Sequence, residues 1–274
     1  MSEKISIVGI QTTPTMDRES NFRQAVDLMG EALLLHKHVD MVVLPEEFDY
    51  LPDNDEKDEI EPIPEEFIQT FSTYAKTYNT YITAGSVINR KDDGKVYNTS
   101  LLFDRKGDIV GQYDKIHLFD VLDGADDDKE SYLVTRGDHL FTYEADFGKI
   151  GIIICYDVRF PELARSLALQ GVQYLFVPAA FYMPRFDHWQ SLLQSTALYN
   201  SMYVTGVNLY GKLDDSNVFC GRSLISDPWG VPVAIASDKA GFIQAYVDAD
   251  YSETIKDAVG SIRNRVPSVY DIPK

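Results

Sequence analysis

The apolar and polar positions of the first fifty residues follow the order strand, helix, strand. Apolar runs at 5–10 and 41–44 are nearly continuous, as expected for strands that are covered on both faces. Between them, apolar residues recur every three or four positions over 21–36. This spacing predicts a helix with one apolar face and with Ser20 or Asn21 as its N-cap. The segment therefore predicts a β-α-β unit.

The same order of elements returns in the second half of the chain. Periodicity and turn residues predict the following strands and helices: helices 65–78, 161–170 and 188–200, and strands 81–87, 97–104, 109–113, 149–154, 173–177, 202–207, 221–226, 231–236 and 242–247. An acidic stretch at 53–66 is expected to be a solvated loop that leads into the first of these helices. Because no Gly/Ser linker separates the halves, we expect one α/β domain over 1–274, with two mixed sheets face to face and helices outside.

Composition narrows the class of protein. With 45% hydrophobic and 25% charged residues among 274, the chain has enough apolar material for a large core and is not a disordered protein. The net charge of −18 and the lack of a basic stripe exclude nucleic acid and anionic membranes as expected partners. No apolar run approaches the roughly 18 residues of a membrane span. Two cysteines and no signal peptide predict a cytoplasmic protein with free thiols.

Cys155 is the first candidate for chemistry. It lies between the strand predicted at 149–154 and Pro161, which suits a first helical position. Backbone N–H groups and the helix dipole at such a place lower a thiol pKa and favour a nucleophile. A buried structural cysteine remains the alternative. Cys220 lacks this context and is expected to be structural.

Two further residues supply what a thiol nucleophile needs, namely a base and a cation for the oxyanion. Glu46 directly follows the strand at 41–44, at the same kind of strand end as Cys155, where catalytic groups collect. Lys115 follows the strand at 109–113 and has apolar neighbours. Taken alone, the first residue suits a solvated loop and the second a protein surface. The five histidines show no metal-type spacing, so no metal site is expected.

Together these segments resemble the nitrilase superfamily of carbon-nitrogen hydrolases along nearly the whole chain. The three family signatures are LPE at 44–46, YDKIHL at 113–118 and ICYDVRFPE at 154–162, and YNT at 97–99 is a supporting match. The CYD form and the RFPEL continuation are similar to the amidase branch that includes omega-amidase and related Nit proteins. The resemblance implies a four-layer αββα sandwich that dimerises through the helices after Cys155.

The resemblance also implies a reaction and its residues. It implies that Cys155 attacks a small linear amide and forms a thioester, with release of ammonia and a carboxylic acid. Glu46 is then the general base and later the acid, Lys115 stabilises the oxyanion, and Glu130 is a second glutamate that positions the lysine and the substrate. No metal or organic cofactor is implied. The expected partner is a small-molecule amide, for example a dicarboxylic acid monoamide.

Other residues are expected around the substrate. Tyr156, Phe181 and Arg185 are predicted to contact it, and Arg185 is the candidate for recognising a substrate carboxylate. Arg159 is expected to pair instead with Glu162 or another acid at the start of the helix. An acidic run at 123–128 lies close in sequence to Glu130, so selectivity for an anionic substrate must come from a local arginine.

Some features leave alternatives open. In the helix 188–200, relatives commonly have an arginine and an acidic residue where this chain has Thr196 and Tyr199. These two differences leave open which amide is the substrate and whether the oligomer contacts of the family are kept. Glu47, beside Glu46, is expected to face solvent. A hydrolase of N-carbamoyl compounds would use the same residues. A catalytically silent ligand-binding member is the reading from a different class, and the complete catalytic set speaks against it.

Overall fold

The computed structural model describes residues 4–120 and 129–270; the acidic run at 123–128 lies outside them. Two six-stranded sheets form the centre of the fold. In spatial order the first sheet contains β14 (Gly241–Asp248), β1 (Lys4–Gln11), β2 (Met41–Val43), β3 (Tyr81–Arg90), β4 (Val96–Phe103) and β5 (Ile109–Asp114). The second contains β13 (Pro232–Ile235), β12 (Leu224–Ser226), β9 (Tyr203–Asn208), β8 (Tyr174–Ala179), β7 (Gly148–Ile152) and β6 (Thr142–Ala145). A two-stranded ribbon pairs β10 (Tyr210–Lys212) with β11 (Val218–Cys220).

The two sheets share one pattern of strand directions. In each, three central strands run parallel, β1-β2-β3 in the first and β7-β8-β9 in the second, and the outer strands pair antiparallel. Both β2 and β8 are buried along their whole length. Their continuous apolar sequences follow from this, since parallel strands are covered on both faces.

Alternating residues of the first sheet separate the layers. Ile7 and Val43 point into the core between the sheets, where they pack in one cluster with Phe176 of the second sheet. Their neighbours Val8 and Val42 belong to a second cluster under the helices of the first sheet. Because successive side chains of a strand face opposite sides, one strand supplies both cores.

Helices cover the outer faces. They are α1 (Arg18–Leu35) and α2 (Glu65–Tyr78) on the first sheet, α4 (Pro161–Leu169) and α5 (Phe186–Asn200) on the second, and the shorter α3 (Glu130–Leu133) and α6 (Tyr251–Val259). Gly206 of β9 lets α5 approach closely, because a Cβ there would lie 2.3 Å from Leu193 and 2.7 Å from Trp189. The predicted αββα sandwich is therefore confirmed. Among the described helices, none has the length and apolar character needed to cross a bilayer.

The element order predicted from the sequence is largely right, with corrections at one helix cap and at several short elements. The N-cap of α1 is Asp17, whose carboxylate accepts from the Ser20 N–H at 2.9 Å. The acidic stretch at 53–66 contains a 3-10 helix, Asn54–Glu59, and is not wholly irregular. The pattern missed the short elements α3, β10 and β11. It also missed β6 and α6, because β6 buries none of its four residues fully and α6 buries only Ser252 and Ile255.

Candidate active site

One cavity of about 340 Å³ brings the four predicted catalytic residues together. Glu46 reaches it just beyond β2, and Cys155 lies in the turn after β7. Lys115 follows β5 and Glu130 begins α3. The cavity thus lies where parallel strands of both sheets end, which is the position at which open α/β sheets hold ligands.

Cys155 is the first residue of a 3-10 turn, Cys155–Arg159, and has a φ of 45°. This left-handed conformation is uncommon outside glycine and is found at functional sites. The thiol is buried, with 8% of the residue exposed. Burial and the neighbouring Glu46 carboxylate raise the pKa of Cys155 well above its ordinary value, although the Lys115 ammonium acts in the opposite direction. The predicted lowering of this pKa is wrong, because burial and Glu46 outweigh the positive neighbours.

Glu46 is fully enclosed and hydrogen-bonded through both oxygens. Oε1 accepts from Lys115 Nζ at 2.8 Å and from Asn98 Nδ2 at 2.9 Å, and Oε2 accepts from the Ala180 N–H at 2.8 Å. Only 2% of the residue is exposed, so the reading as a solvated loop glutamate is wrong. Because this carboxylate lies in the same cavity as the Cys155 thiol and is close enough to raise the thiol pKa, Glu46 stands where a base for the thiol must stand.

Lys115 lies between two carboxylates. Its Nζ donates to Glu46 Oε1 at 2.8 Å and to the two Glu130 oxygens at 2.9 and 2.8 Å. Burial opposes a charged amine, but the Glu130 and Glu46 carboxylates outweigh it and raise the pKa of Lys115 well above its ordinary value. With 3% of the residue exposed, Lys115 is a buried ammonium and not a surface lysine. Glu130 is itself held by the Phe119 N–H, which donates to Oε2 at 2.6 Å.

Asn98 of β4 joins the two glutamates. Its Nδ2 donates to Glu46 Oε1 at 2.9 Å and to Glu130 Oε1 at 3.3 Å, and the residue is 1% exposed. The Lys115 N–H pairs with the Asn98 carbonyl at 3.0 Å, which places the two residues side by side. No role for Asn98 is predicted from the sequence. The only sign was its place in the supporting match at 97–99.

Asp157 ties the two longer signatures to one another. This fully buried carboxylate accepts from the Tyr113 hydroxyl at 2.7 Å, from the His117 N–H at 2.9 Å and from the Ile154 N–H at 3.0 Å. The His117 ring also contacts it through Nδ1 at 2.7 Å and stacks on Phe160. These contacts flank Lys115 on one segment and the cysteine on the other, so they fix the distance between ammonium and thiol.

Two arginines, Arg159 and Arg185, line the cavity together with Tyr156 and Phe181, so the three predicted substrate residues Tyr156, Phe181 and Arg185 all lie there. The guanidinium of Arg185 lies 5.9 Å from the Phe119 ring centre, and that of Arg159 lies 5.1 Å from the Phe181 ring centre. In the described ranges, neither arginine forms an ion pair with a carboxylate. The expected pairing of Arg159 with an acid at the helix start is therefore wrong, and Arg159 joins the cavity.

Glu47 also lines the cavity, which contradicts the expectation that it faces solvent. Oxygens of Glu46, Glu47 and Glu130 lie within 4.8 Å of one another, a spacing at which carboxylates can hold a cation. The Lys115 ammonium donates to two of the three, Glu46 and Glu130. By contrast, Thr196 and Tyr199 do not line the cavity, and Tyr199 is 62% exposed on the outside of α5.

The αββα sandwich with a cysteine, a lysine and two glutamates in one cavity defines the nitrilase class of hydrolases. The sequence matches the Carbon-nitrogen hydrolase family over residues 4–257. The chain belongs to this family, and it is an amidase.

Three similar proteins show which branch of the family the chain resembles. The chain is 36% identical over 224 residues to the 2-oxoglutaramate amidase of Bacillus subtilis (strain 168), covering 81% of this chain and 83% of that protein. It is 36% identical over 269 residues to a deaminated glutathione amidase of Synechocystis sp. (strain PCC 6803 / GT-S), covering 94% and 97%. The solved structure of Saccharomyces cerevisiae Nit3, a member of branch 10 of the nitrilase superfamily, superposes with a TM-score of 0.85 at 29% identity, over 94% of this chain and 95% of that one. The predicted resemblance to the amidase branch is confirmed.

Proposed function

We propose that the chain, as one domain over 1–274, hydrolyses a dicarboxylic acid monoamide to the dicarboxylic acid and ammonia, with Cys155 as nucleophile. The observation that carries this proposal is the cavity itself. It joins a thiol, a carboxylate base and an ammonium with Arg159 and Arg185, two guanidinium groups that have no carboxylate partner in the described residues.

The first half-reaction forms a thioester. Glu46 takes the proton of the Cys155 thiol as the sulfur attacks the amide carbon, and the carbonyl oxygen becomes an oxyanion. The Lys115 ammonium and a backbone N–H near Tyr156 stabilise this oxyanion. When the C–N bond breaks, Glu46 passes the proton to the leaving nitrogen. Ammonia departs and the acyl group stays on the sulfur.

The second half-reaction returns the enzyme to its starting state. Glu46 takes a proton from a water molecule, whose oxygen attacks the thioester carbon, and Lys115 again holds the oxyanion. The C–S bond breaks, the acid is released, and the proton returns from Glu46 to the sulfur. Glu130 and Asn98 act through Lys115 and Glu46, because their hydrogen bonds hold both groups in position.

The net charge of the chain, the cavity arginines and the name of a relative support this substrate class. The chain carries a net charge of −18, so long-range attraction does not gather anions and a carboxylate must be held locally. Arginine suits this task because its planar fork matches a carboxylate. The name of one relative specifies the amide of a 2-oxo dicarboxylic acid, and a cavity of about 340 Å³ suits such a small molecule.

The arginines can be tested by substrate selectivity. We expect Arg185→Ala and Arg159→Ala each to lower the ratio of kcat/KM for glutaramate over that for valeramide by about 10- to 100-fold, as for the loss of a charged hydrogen bond. The measurement is ammonia release from both amides. Arg222→Ala is the matched control, because Arg222 is exposed, pairs with Asp238 and does not line the cavity.

An unchanged ratio in both cavity variants would exclude a carboxylate subsite at these arginines. The same assay on N-carbamoyl compounds tests the alternative reaction. Faster ammonia release from those compounds than from any monoamide would replace the proposed substrate class.

We also propose a cytoplasmic homodimer. Exposed apolar side chains on neighbouring helices support an interface: Leu169 on α4 is 48% exposed, and Leu198 on α5 is 45% exposed. The two free cysteines fit a reducing compartment. Light scattering should give twice the mass of one chain, and cell fractionation tests the compartment.

A further inference from the structure

Glu47 is a cavity residue for which the proposed mechanism has no use. It follows Glu46 directly, and its backbone adopts a φ of 50°. The Glu47 N–H donates to the Ser86 carbonyl at 2.7 Å, which anchors this left-handed conformation. Left-handed backbone in a non-glycine residue persists where the surrounding structure enforces it, and such residues cluster at ligand sites. The fold therefore holds this carboxyl at the cavity wall.

The charges around Glu47 are mostly negative. The groups that face it are the Glu46 and Glu130 carboxylates, Asp49, the Tyr182 hydroxyl and the Lys115 ammonium. Lys115 donates to Glu46 and Glu130, and Asp49 has its own partner in Arg18 at 2.8 Å. In the described ranges no hydrogen bond or ion pair is formed by the Glu47 carboxyl. A third carboxylate here would have no cation of its own.

Burial raises the pKa of Glu47 well above its ordinary value, and the Glu46 and Glu130 carboxylates raise it further. The raised pKa keeps the acid neutral below that value, so a proton remains on one oxygen at the cavity wall. A neutral carboxylic acid is a hydrogen-bond donor, whereas a carboxylate only accepts.

We propose that Glu47 is a specificity-determining residue that stays a neutral carboxylic acid and donates its O–H to an acceptor oxygen on the acyl chain of the substrate. The inference rests on the proposed function, because a monoamide of a dicarboxylic acid carries such an oxygen. An ionised Glu47 would repel the anionic substrate that Arg159 and Arg185 attract. The neutral acid removes that repulsion, and its O–H supplies the substrate with a hydrogen-bond donor in addition to the two arginines.

Two variants distinguish a hydrogen bond donated by residue 47 from the mere presence of a side chain there. Glu47→Gln keeps the size and an N–H donor, whereas Glu47→Ala removes both. We expect Glu47→Ala to lower the glutaramate-to-valeramide ratio of kcat/KM by about tenfold, the effect of one lost hydrogen bond, while Glu47→Gln retains most of the ratio. Glu144→Gln is the control, because Glu144 is an exposed glutamate on β6.

The pH profile gives a second readout. Glu47 loses its proton as the pH rises through its raised pKa, so wild-type kcat/KM for glutaramate should fall there, and this limb should be absent in Glu47→Gln. An equal loss on both amides in Glu47→Ala, or an unchanged limb in Glu47→Gln, would overturn the proposal.

Infrared spectroscopy tests the proton without any substrate. The difference spectrum between wild type and Glu47→Gln at neutral pH should contain the C=O stretch of a protonated carboxyl. Carboxylate bands in its place would contradict the inference, even if Glu47→Ala fails to fold. Because this measurement is independent of turnover, it also separates the failure of the inference from a failure of the proposed function, which would appear as no ammonia from any monoamide.

Discussion

Cys155→Ala should lower kcat/KM for amide hydrolysis by at least about 10⁴-fold, the scale seen when a nucleophile is removed. The thioester cannot form without the sulfur, and the remaining oxyanion donors only assist the slow direct attack of water. Ammonia release and circular dichroism on the same samples measure the loss and show that the fold is kept.

Cys220→Ala is the matched control for this variant. Cys220 is also buried and free, but its sulfur contacts Asn208 and it does not line the cavity. We expect its activity to stay near that of wild type. Full activity in Cys155→Ala, or loss in Cys220→Ala alone, would refute the assignment of the nucleophile.

Glu46→Gln should lower kcat/KM by about 10²- to 10⁴-fold, which is the usual contribution of a general base. The amide keeps the shape of the side chain but cannot take the thiol proton. Burial, the largest cause of the raised pKa of Cys155, remains in the variant, so little thiolate forms at neutral pH to replace the missing base. The loss should therefore appear in kcat as well as in kcat/KM.

The pH profile of this variant distinguishes a base from a structural residue. Without Glu46 the reaction depends on thiolate formed by solvent, so activity should climb as the pH rises toward the raised pKa of Cys155. The Glu144→Gln control should keep the wild-type profile. A pH-independent loss in Glu46→Gln would indicate that Glu46 only holds Lys115 and Asn98 in place.

The fold could be predicted where the pattern is strong. The helix at 65–78 matches α2 residue for residue, because its apolar face packs on the first sheet and Asn79 ends it in a left-handed conformation. The sequence predicted the wrong N-cap for α1 because three polar residues within five positions, Asp17, Ser20 and Asn21, all suit that role, and tertiary contacts decide among them. Short edge elements such as β6 bury too little to leave a pattern.

Only the site residues that lie in or near the three sequence signatures could be predicted. Glu46, Lys115 and Cys155 stand in recognisable segments, and the structure brings them together with Glu130. What the sequence missed depends on contacts between distant segments, such as the hydrogen bonds of Asn98 to both glutamates. The direction of the Cys155 pKa was wrong for the same reason, because burial beside Glu46 has no local pattern in the sequence.

The predictions for Arg159 and Glu47 were wrong because a charged residue near a turn usually faces solvent or pairs with an acid close in sequence. Arg159 has an acid nearby in sequence, Glu162, but its guanidinium lies over Phe181 instead. Glu47 follows a strand end as many solvated residues do, but its left-handed backbone places it at the cavity wall. In both cases tertiary contacts, which the local sequence does not show, determine the surroundings of the charged side chain.

The mass of Cys155 during turnover tests the central claim most directly. Wild-type enzyme saturated with glutaramate is quenched in acid within milliseconds, and the peptide containing Cys155 is weighed by mass spectrometry, with a parallel reaction in hydroxylamine to intercept the thioester. The thioester mechanism predicts an acyl group on Cys155, none on Cys220, and an acyl hydroxamate in the parallel reaction. Continued ammonia release with Cys155 unmodified and no hydroxamate formed would contradict it.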